Sequence, residues 1–345
     1  MDILFLAILT FILALFFTFT NGVHDASATA STMVACGATS PRRAVFFVSL
    51  LGFLGAILGG SAVALTLQTL IVVETGPLLV KIIFAAVTGA TAWNVVTWRS
   101  GLPSSSTHSI LGGLVGATSA GAGLGSVAWG LEELAMGELA GLTKVVVFLI
   151  LSVIVGFVGG YLVRKISAVL LRGANRAVNN SLRRAQWFTT GTLAFAHGAN
   201  DTQKQMGLIV LVLLSVGVTY TMDIPSWVRF SCAVVMAMGM LRGGWRIMRT
   251  LGRDIYPLKP LDSLDSQLVS SSSILLSTII GAPVSTTQVI SSSVLGVGAG
   301  ENVRMVHWGV GKHMVISWFL TIPASAFLSA LIFIILEGAS GLGVF

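Results

Sequence analysis

The sequence predicts an all-α polytopic membrane protein built as two inverted-topology repeats with interrupted or re-entrant helices. Three observations predict it: the composition, a series of long apolar runs, and an internal duplication at about half the chain length. Hydrophobic residues make up 54% of the 345 residues and charged residues only 10%, and the mean hydropathy is +0.91. A soluble domain carries about 25% charged residues, so this chain cannot cover a water-facing surface. The 39 glycines exceed the usual share of ~7%, as expected where helices pack closely in lipid. These figures exclude a soluble enzyme, a nucleic-acid binder, a disordered chain and a disulfide-stapled secreted domain. The net charge of +7, from 20 basic and 13 acidic residues, is assigned to basic cytoplasmic loops rather than to nucleic acid. Cys36 and Cys232 lie in apolar surroundings with no spacing for a disulfide framework or a metal, and read as small packed hydrophobes.

A helix crosses the hydrocarbon with about 20 apolar residues. The expected spans are Ile3–Cys36 (interrupted), Ala44–Leu70, Lys81–Trp98, Leu111–Ala128 and Lys144–Val163. In the second half they are Trp187–Val218 (interrupted), Trp227–Met248, Leu268–Ile280, Val284–Val297 and Trp308–Leu336. No basic segment precedes the first apolar run, which is therefore expected to be membrane helix rather than a cleaved leader. The segments around Pro103 and Pro283 are short, and either cross fully or return as re-entrant hairpins. Trp187, Trp227 and Trp308 fall at span ends, where an aromatic belt sits.

The loops set the orientation. Arg42 and Arg43, the stretch from Arg164 to Arg184, and the stretch from Arg242 to Lys259 are basic, whereas the loops holding Glu74 and Glu132, Glu133 and Glu138 are acidic. Placing the basic loops in the cytoplasm puts both termini outside the cell. The expected organisation is a first inverted repeat over 1–163, a basic cytoplasmic linker over 164–186 and a second inverted repeat over 187–345.

The duplication rests on two pairs of motifs. Asn21-Gly22-Val23-His24-Asp25 is echoed by His197-Gly198-Ala199-Asn200-Asp201 at an offset of 176, and Pro103-Ser104-Ser105-Ser106-Thr107-His108 by Pro283-Val284-Ser285-Thr286-Thr287-Gln288 at 180. Five spans precede the second copy, an odd number, so the halves are inverted. Inverted repeats interrupted at matching places are the signature of secondary transporters.

Asp25 and Asp201 lie in apolar stretches, where a carboxylate costs at least ~2.5 kcal/mol and needs a polar cavity and a partner. They read as cation ligands, for sodium, or as proton sites; the plain alternative is a helix cap beside a kink. Asn21 and Asn200 add amides to the cation set, with His24 and His197 alongside, and Gly22 and Gly198 are expected to break the helices and free backbone carbonyls. Two histidines alone make a weak case for zinc.

The Pro-Ser/Thr turns are expected to start helices, with proline in the first turn and hydroxyls beside free N–H groups. A helix start of that kind accepts an anion. Ser104, Ser105, Ser106 and Thr107 would meet Ser285, Thr286 and Thr287 around one oxyanion, with Gln203 counted in the same set; ordinary small-residue packing is the plain alternative. Lys204 either balances the aspartates or reaches toward an aqueous cavity. Ser270–Ser273 and Ser291–Ser293 read as packing faces.

With these residues in hand, the chain resembles the PiT-type inorganic phosphate transporter family. The resemblance lies in NGVHDASATASTMV (Asn21–Val34), GLPSSSTHSILGGLVGA (Gly101–Ala117), AHGANDTQKQMG (Ala196–Gly207) and GAPVSTTQVISSSVLGVG (Gly281–Gly298), and extends over essentially the whole chain. It implies a transporter rather than an enzyme. It also implies two inverted repeats, a homodimer in the plasma membrane (the inner membrane of a prokaryote), and cotransport of phosphate with Na⁺ or H⁺ and no other cofactor. Asp25 and Asp201 match the acidic residues of the family's two broken helices, and Ser105, Ser106, Thr107, Ser285, Thr286 and Thr287 match its turn hydroxyls. Ala28 stands where the family usually has an asparagine, and Gln288 where a histidine is common. Some similar members carry sulfate, which remains the alternative anion.

Overall fold

The protein is described by a computed structural model over residues 3–101, 104–175, 177–243 and 248–341. Pro103, Arg176 and Arg246 lie outside the described residues. The helices of the first half are α1 (Ile3–Ala35), α2 (Pro41–Leu58), α3 (Ala62–Gln68), α4 (Pro77–Ser100), α5 (Ser106–Ala122), the short α6 (Leu131–Ala135) and α7 (Gly141–Leu170). Those of the second are α8 (Val178–Ser215), α9 (Ser226–Arg242), α10 (Pro260–Ile279), α11 (Thr286–Asn302) and α12 (Trp308–Gly341). Two isolated bridge residues, Ile71 and Val127, make the only β pairing among the described residues. Among the described residues, five helices are long and apolar enough to span a bilayer: α1, α2, α4, α7 and α12.

The second half repeats the order of the first. α1 corresponds to α8, the α4–α5 hairpin to the α10–α11 hairpin, and α7 to α12. The two sets interlock rather than sit side by side: α1 packs on α9 and α2 on α8, while α12 packs on α5 and α7 on α11. Each half therefore holds the other half's hairpin. α7 and α8 run into the stretch expected as a linker, which leaves 171–177 between them.

Two expectations about helix breaks are corrected. α1 and α8 run unbroken through Gly22 and Gly198. A Cβ on Gly22 would lie 2.4 Å from the Met236 carbonyl oxygen of α9, and one on Gly198 would lie 2.0 Å from the Gly52 carbonyl oxygen of α2. These glycines let helices touch backbone to backbone, the usual role of small residues in a membrane interior. The break falls elsewhere, inside the expected Ala44–Leu70 span. α2 ends at Leu58 and α3 starts at Ala62, because Gly60 turns through a left-handed φ of 83°.

Apolar clusters flank a polar middle. One gathers Phe17, Ile82, Ile110 and Met206, and another Ala28, Leu193, Ile274 and Ile290. The serines of α10 and α11 pack as expected, Ser270 Oγ lying 2.7 Å from Ser293 Oγ. Large apolar side chains such as Phe188 and Phe319, 78% and 79% exposed, face outward as lipid contact requires. Where the basic stretch begins, buried Arg164 on α7 reaches Asp262 of α10 at 2.9 Å and pairs with Glu301 of α11. Lys259 completes the group at 2.8 Å from Glu301 and holds that carboxyl below its ordinary range through this hydrogen bond.

Gly198→Ala is expected to lower the melting temperature in detergent, since overpacking of this kind costs roughly 1–3 kcal/mol. A hinge glycine would give the opposite sign, because alanine then lowers only the entropy of the unfolded chain. Arg164→Ala is expected to destabilise by about 3–5 kcal/mol, the usual cost of leaving a buried partner charge such as Asp262 unpaired. Partial recovery in Arg164→Met/Asp262→Leu, read as melting temperature, would attribute that loss to the orphaned carboxylate.

Candidate functional site: two hairpin tips around two aspartates

The hairpins α4–α5 and α10–α11 turn at matching points. Gly101 (φ 70°) and Gly281 (φ 72°) adopt left-handed backbone as the first helix of each ends. Ser105 and Ser285 then cap the second helix, their hydroxyls accepting from His108 N at 3.2 Å and Gln288 N at 3.4 Å. A serine at this place satisfies one N–H and leaves the first N–H groups of the helix directed outward. Pro283 does not begin its helix as expected. Pro283 lies two residues before the Ser285 cap, because the capping serine, not the ring, fixes where helical geometry starts.

The tips meet at the middle of α1 and α8. Oxygen or nitrogen atoms of Asp25, His197 and Asp201 all lie within 4.8 Å of one another. Asp25 Oδ1 accepts from Thr287 Oγ1 at 2.5 Å and its Oδ2 from Ser106 Oγ at 3.4 Å. Asp201 Oδ2 accepts from Thr286 Oγ1 at 2.7 Å and faces His197 Nδ1 at 2.8 Å. Its Oδ1 pairs with Lys204 Nζ, which also donates to Thr107 Oγ1 at 2.6 Å and to the Val284 carbonyl at 2.8 Å. Thr107 in turn donates to that same carbonyl at 3.0 Å, tying one hairpin tip to the other. None of these side chains is more than 8% exposed, so the site is closed to solvent in this conformation.

The remaining candidates divide. Ser104 Oγ faces Thr97 Oγ1 at 2.7 Å, behind the tip. Asn200 Nδ2 donates to Thr278 Oγ1 at 3.0 Å and to the Ala282 carbonyl at 3.2 Å, bracing α8 against the end of α10. Asn21, one helical turn before Asp25 and fully buried, has both amide atoms without a partner. Gln203 stands apart from the anion set. Its Oε1 accepts from Val63 N at 2.9 Å and its Nε2 donates to the Gly59 carbonyl at 2.7 Å, so it plugs the break between α2 and α3.

His197 and Lys204, set beside the aspartates by the sequence, both contact Asp201: their i,i+4 and i,i+3 spacings put all three on one face of α8. Asn94 is the contributor that sequence reasoning did not foresee. On α4, Asn94 takes a hydrogen bond from Ser109 Oγ at 2.7 Å and its backbone carbonyl lies 3.1 Å from His24 Nε2. Chemically, the site offers hydroxyls and helix starts to an anion, and carboxylate and amide oxygens to a hard cation.

Comparisons with known proteins point the same way. The sequence matches the phosphate transporter family twice, over residues 21–176 and 168–329, and the two matches meet where α7 gives way to α8. It is 40% identical over 344 residues to a Bacillus subtilis protein named a probable low-affinity inorganic phosphate transporter, covering 98% of this chain and 99% of that one. A Rhizobium meliloti protein of the same name is 38% identical over 320 residues, 92% of each chain. The fold is similar to that of a solved sodium-dependent phosphate transporter, with a TM-score of 0.83 and 25% identity over 98% of this chain and 99% of that one.

Gln203→Leu is expected to lower the melting temperature in detergent by several degrees. It strands Val63 N–H and the Gly59 carbonyl, and each unsatisfied buried group costs about 1–3 kcal/mol. An unchanged melting temperature would return Gln203 to the ligand set.

Proposed function

The chain belongs to the phosphate transporter family and is a transporter of phosphate, not an enzyme; from that premise we propose that it imports inorganic phosphate by alternating access, coupled to Na⁺ or H⁺. The single observation that carries this reading is the convergence of Asp25 and Asp201 on two hydroxyl-lined helix starts from opposite halves. Ser106, Thr107, Thr286 and Thr287 hold the anion with the N–H groups of α5 and α11, and Asp25 and Asp201, with Asn21, hold the coupling cation. Ser105 and Ser285 act as caps that set the direction of those N–H groups.

A hydroxyl has one proton to give. While Thr287 gives it to Asp25, it cannot give it to phosphate. A cation on the carboxylate competes for the same lone pairs and turns the hydroxyl toward the anion, so the two substrates favour each other's binding. Coupling also meets the electrical demand. Moving one negative charge inward against 100 mV costs about 2.3 kcal/mol, and a cotransported cation removes that cost. Access alternates as each hairpin tip parts from α1 and α8, the interlocked α7 and α12 serving as the frame.

The reading includes residence in the plasma membrane of a prokaryote, both termini outside, and a homodimer. Sulfate is not retained as the anion: the relatives are named for phosphate, and protonated phosphate can donate a hydrogen bond to Asp25 or Asp201, which sulfate cannot.

In proteoliposomes, Asp25→Asn and Asp201→Asn are each expected to cut concentrative phosphate uptake at least about tenfold, equivalent to about 1.4 kcal/mol. Replacing Na⁺ with choline, with and without an imposed pH gradient, identifies the coupling ion. Undiminished accumulation by both variants, or full competition by excess sulfate, would overturn the reading.

A further inference from the structure

We infer that Lys204 is a resident counter-ion that fills one of two pseudo-equivalent cation positions, so that each transport cycle loads a single sodium ion, at Asp25. The inference rests on the phosphate-import reading above and specifies how many cations it uses. Lys204 is only 1% exposed and lies at the centre of the protein. Its ammonium has three N–H donors, and three protein oxygens take them: a carboxylate oxygen of Asp201, the hydroxyl of Thr107 and the carbonyl of Val284. No donor remains for phosphate. Carboxylate, hydroxyl and carbonyl oxygens are the ligands that hard metal cations collect, and here the cage has closed on the chain's own ammonium.

The internal repeat supplies the comparison. The offset of 176 that relates Asp25 to Asp201 places Lys204 opposite Ala28, which carries no charge, and relates Asn21 to His197. The offset of 180 relates Thr107 to Thr287. In the Asp25 half, Thr287 donates straight to the carboxylate at 2.5 Å. In the Asp201 half, the twin hydroxyl of Thr107 accepts from Lys204 instead and sends its own proton to Val284. The ammonium is thus inserted between carboxylate and hydroxyl, as a bound cation would be.

The neighbours sharpen the difference. Asp201 has His197 Nδ1 at 2.8 Å as well as the lysine. At the position corresponding to His197, Asp25 has Asn21, whose amide oxygen is buried and unpartnered on the same face of α1. One half is already neutralised; the other offers spare oxygen. Lys204 supplies the counter-charge of Asp201, whereas Asp25 takes hydroxyls from Ser106 and Thr287; a single sodium at Asp25 supplies the counter-charge there before the anion arrives.

The test is the sodium-to-phosphate ratio, measured with the full chain in proteoliposomes from the sodium gradient needed to balance a known phosphate gradient. Direct ²²Na⁺ binding to the detergent-purified protein gives a second reading. The wild type is expected to show a ratio of one and to bind one sodium per chain. Lys204→Ala, which removes the ammonium, is expected to bind two and to need a steeper sodium dependence, with a Hill coefficient rising from about 1 toward 2. A wild-type ratio of two, or uptake driven by a pH gradient with no sodium binding, overturns the inference and leaves phosphate import standing. If Lys204→Ala does not fold, the wild-type ratio and binding still decide. A folded Lys204→Ala that keeps a ratio of one also overturns it. Absence of concentrative phosphate uptake under either gradient would instead defeat the import reading itself.

Discussion

Two acidic side chains at the centre of an apolar protein constrain everything built around them. A carboxylate moved from water into such an interior is costly unless donors surround it. Asp25 and Asp201 find those donors chiefly on the hairpin tips, and in part on the tip of the other half. Thr287 of the second half reaches Asp25, and Thr107 of the first is joined to Asp201 through Lys204. Asp25 takes its short hydrogen bond from Thr287 of the other half, whereas Asp201 takes Thr286, His197 and Lys204 from its own and is tied to the first half through Lys204. The site therefore exists only when the halves interlock, and the packing of α7 on α11 and α12 on α5 is what presses the tips inward.

That inward pressure requires close backbone approach. Gly22 lies against α9 and Gly198 against α2 at distances that leave no room for a Cβ. The helices bearing the aspartates are consequently continuous supports, and beside the site the described backbone turns irregular at the hairpin tips and in the α2–α3 gap. Each irregular point is closed by a side chain. Ser105 and Ser285 cap the turns, and Gln203 satisfies the groups freed between Gly59 and Val63. Exposed backbone in a membrane interior demands this kind of internal satisfaction.

The spans, the duplication and the hydroxyl turns were legible because each rests on a repeated pattern: apolar length, a constant offset, or a cluster of one chemistry. The breaks were not legible. Glycine serves both to bend a helix and to admit a neighbour, and only the position of the Met236 or Gly52 carbonyl separates the two at Gly22 and Gly198. Gln203 falls in the anion set by its place two residues from Asp201, yet a helix turns it about 200° around the axis, onto the opposite face, and it meets the α2–α3 break instead. Pro283 suggested a helix start at the ring, whereas a capping serine two residues on governs the register.

The repeat that makes the site readable also shows where symmetry fails. A perfect duplication would give both aspartates the same neighbours and two equal cation positions. This chain sets Asn21 against His197 and Ala28 against Lys204, so one carboxylate meets a neutral amide while the other meets an ammonium and an imidazole. The anion-facing hydroxyls stay paired in type, Ser106 with Thr286 and Thr107 with Thr287. In the proposed cycle both hairpins present the same kind of hydroxyl to phosphate for that reason. The acidic pair need not be equal, because a fixed charge performs its neutralising role in every conformation. A charge that travels must leave from one defined place. In the proposed cycle, asymmetry in the acidic pair and equality in the hydroxyl turns are thus two separate requirements, met by different substitutions in the same duplicated frame.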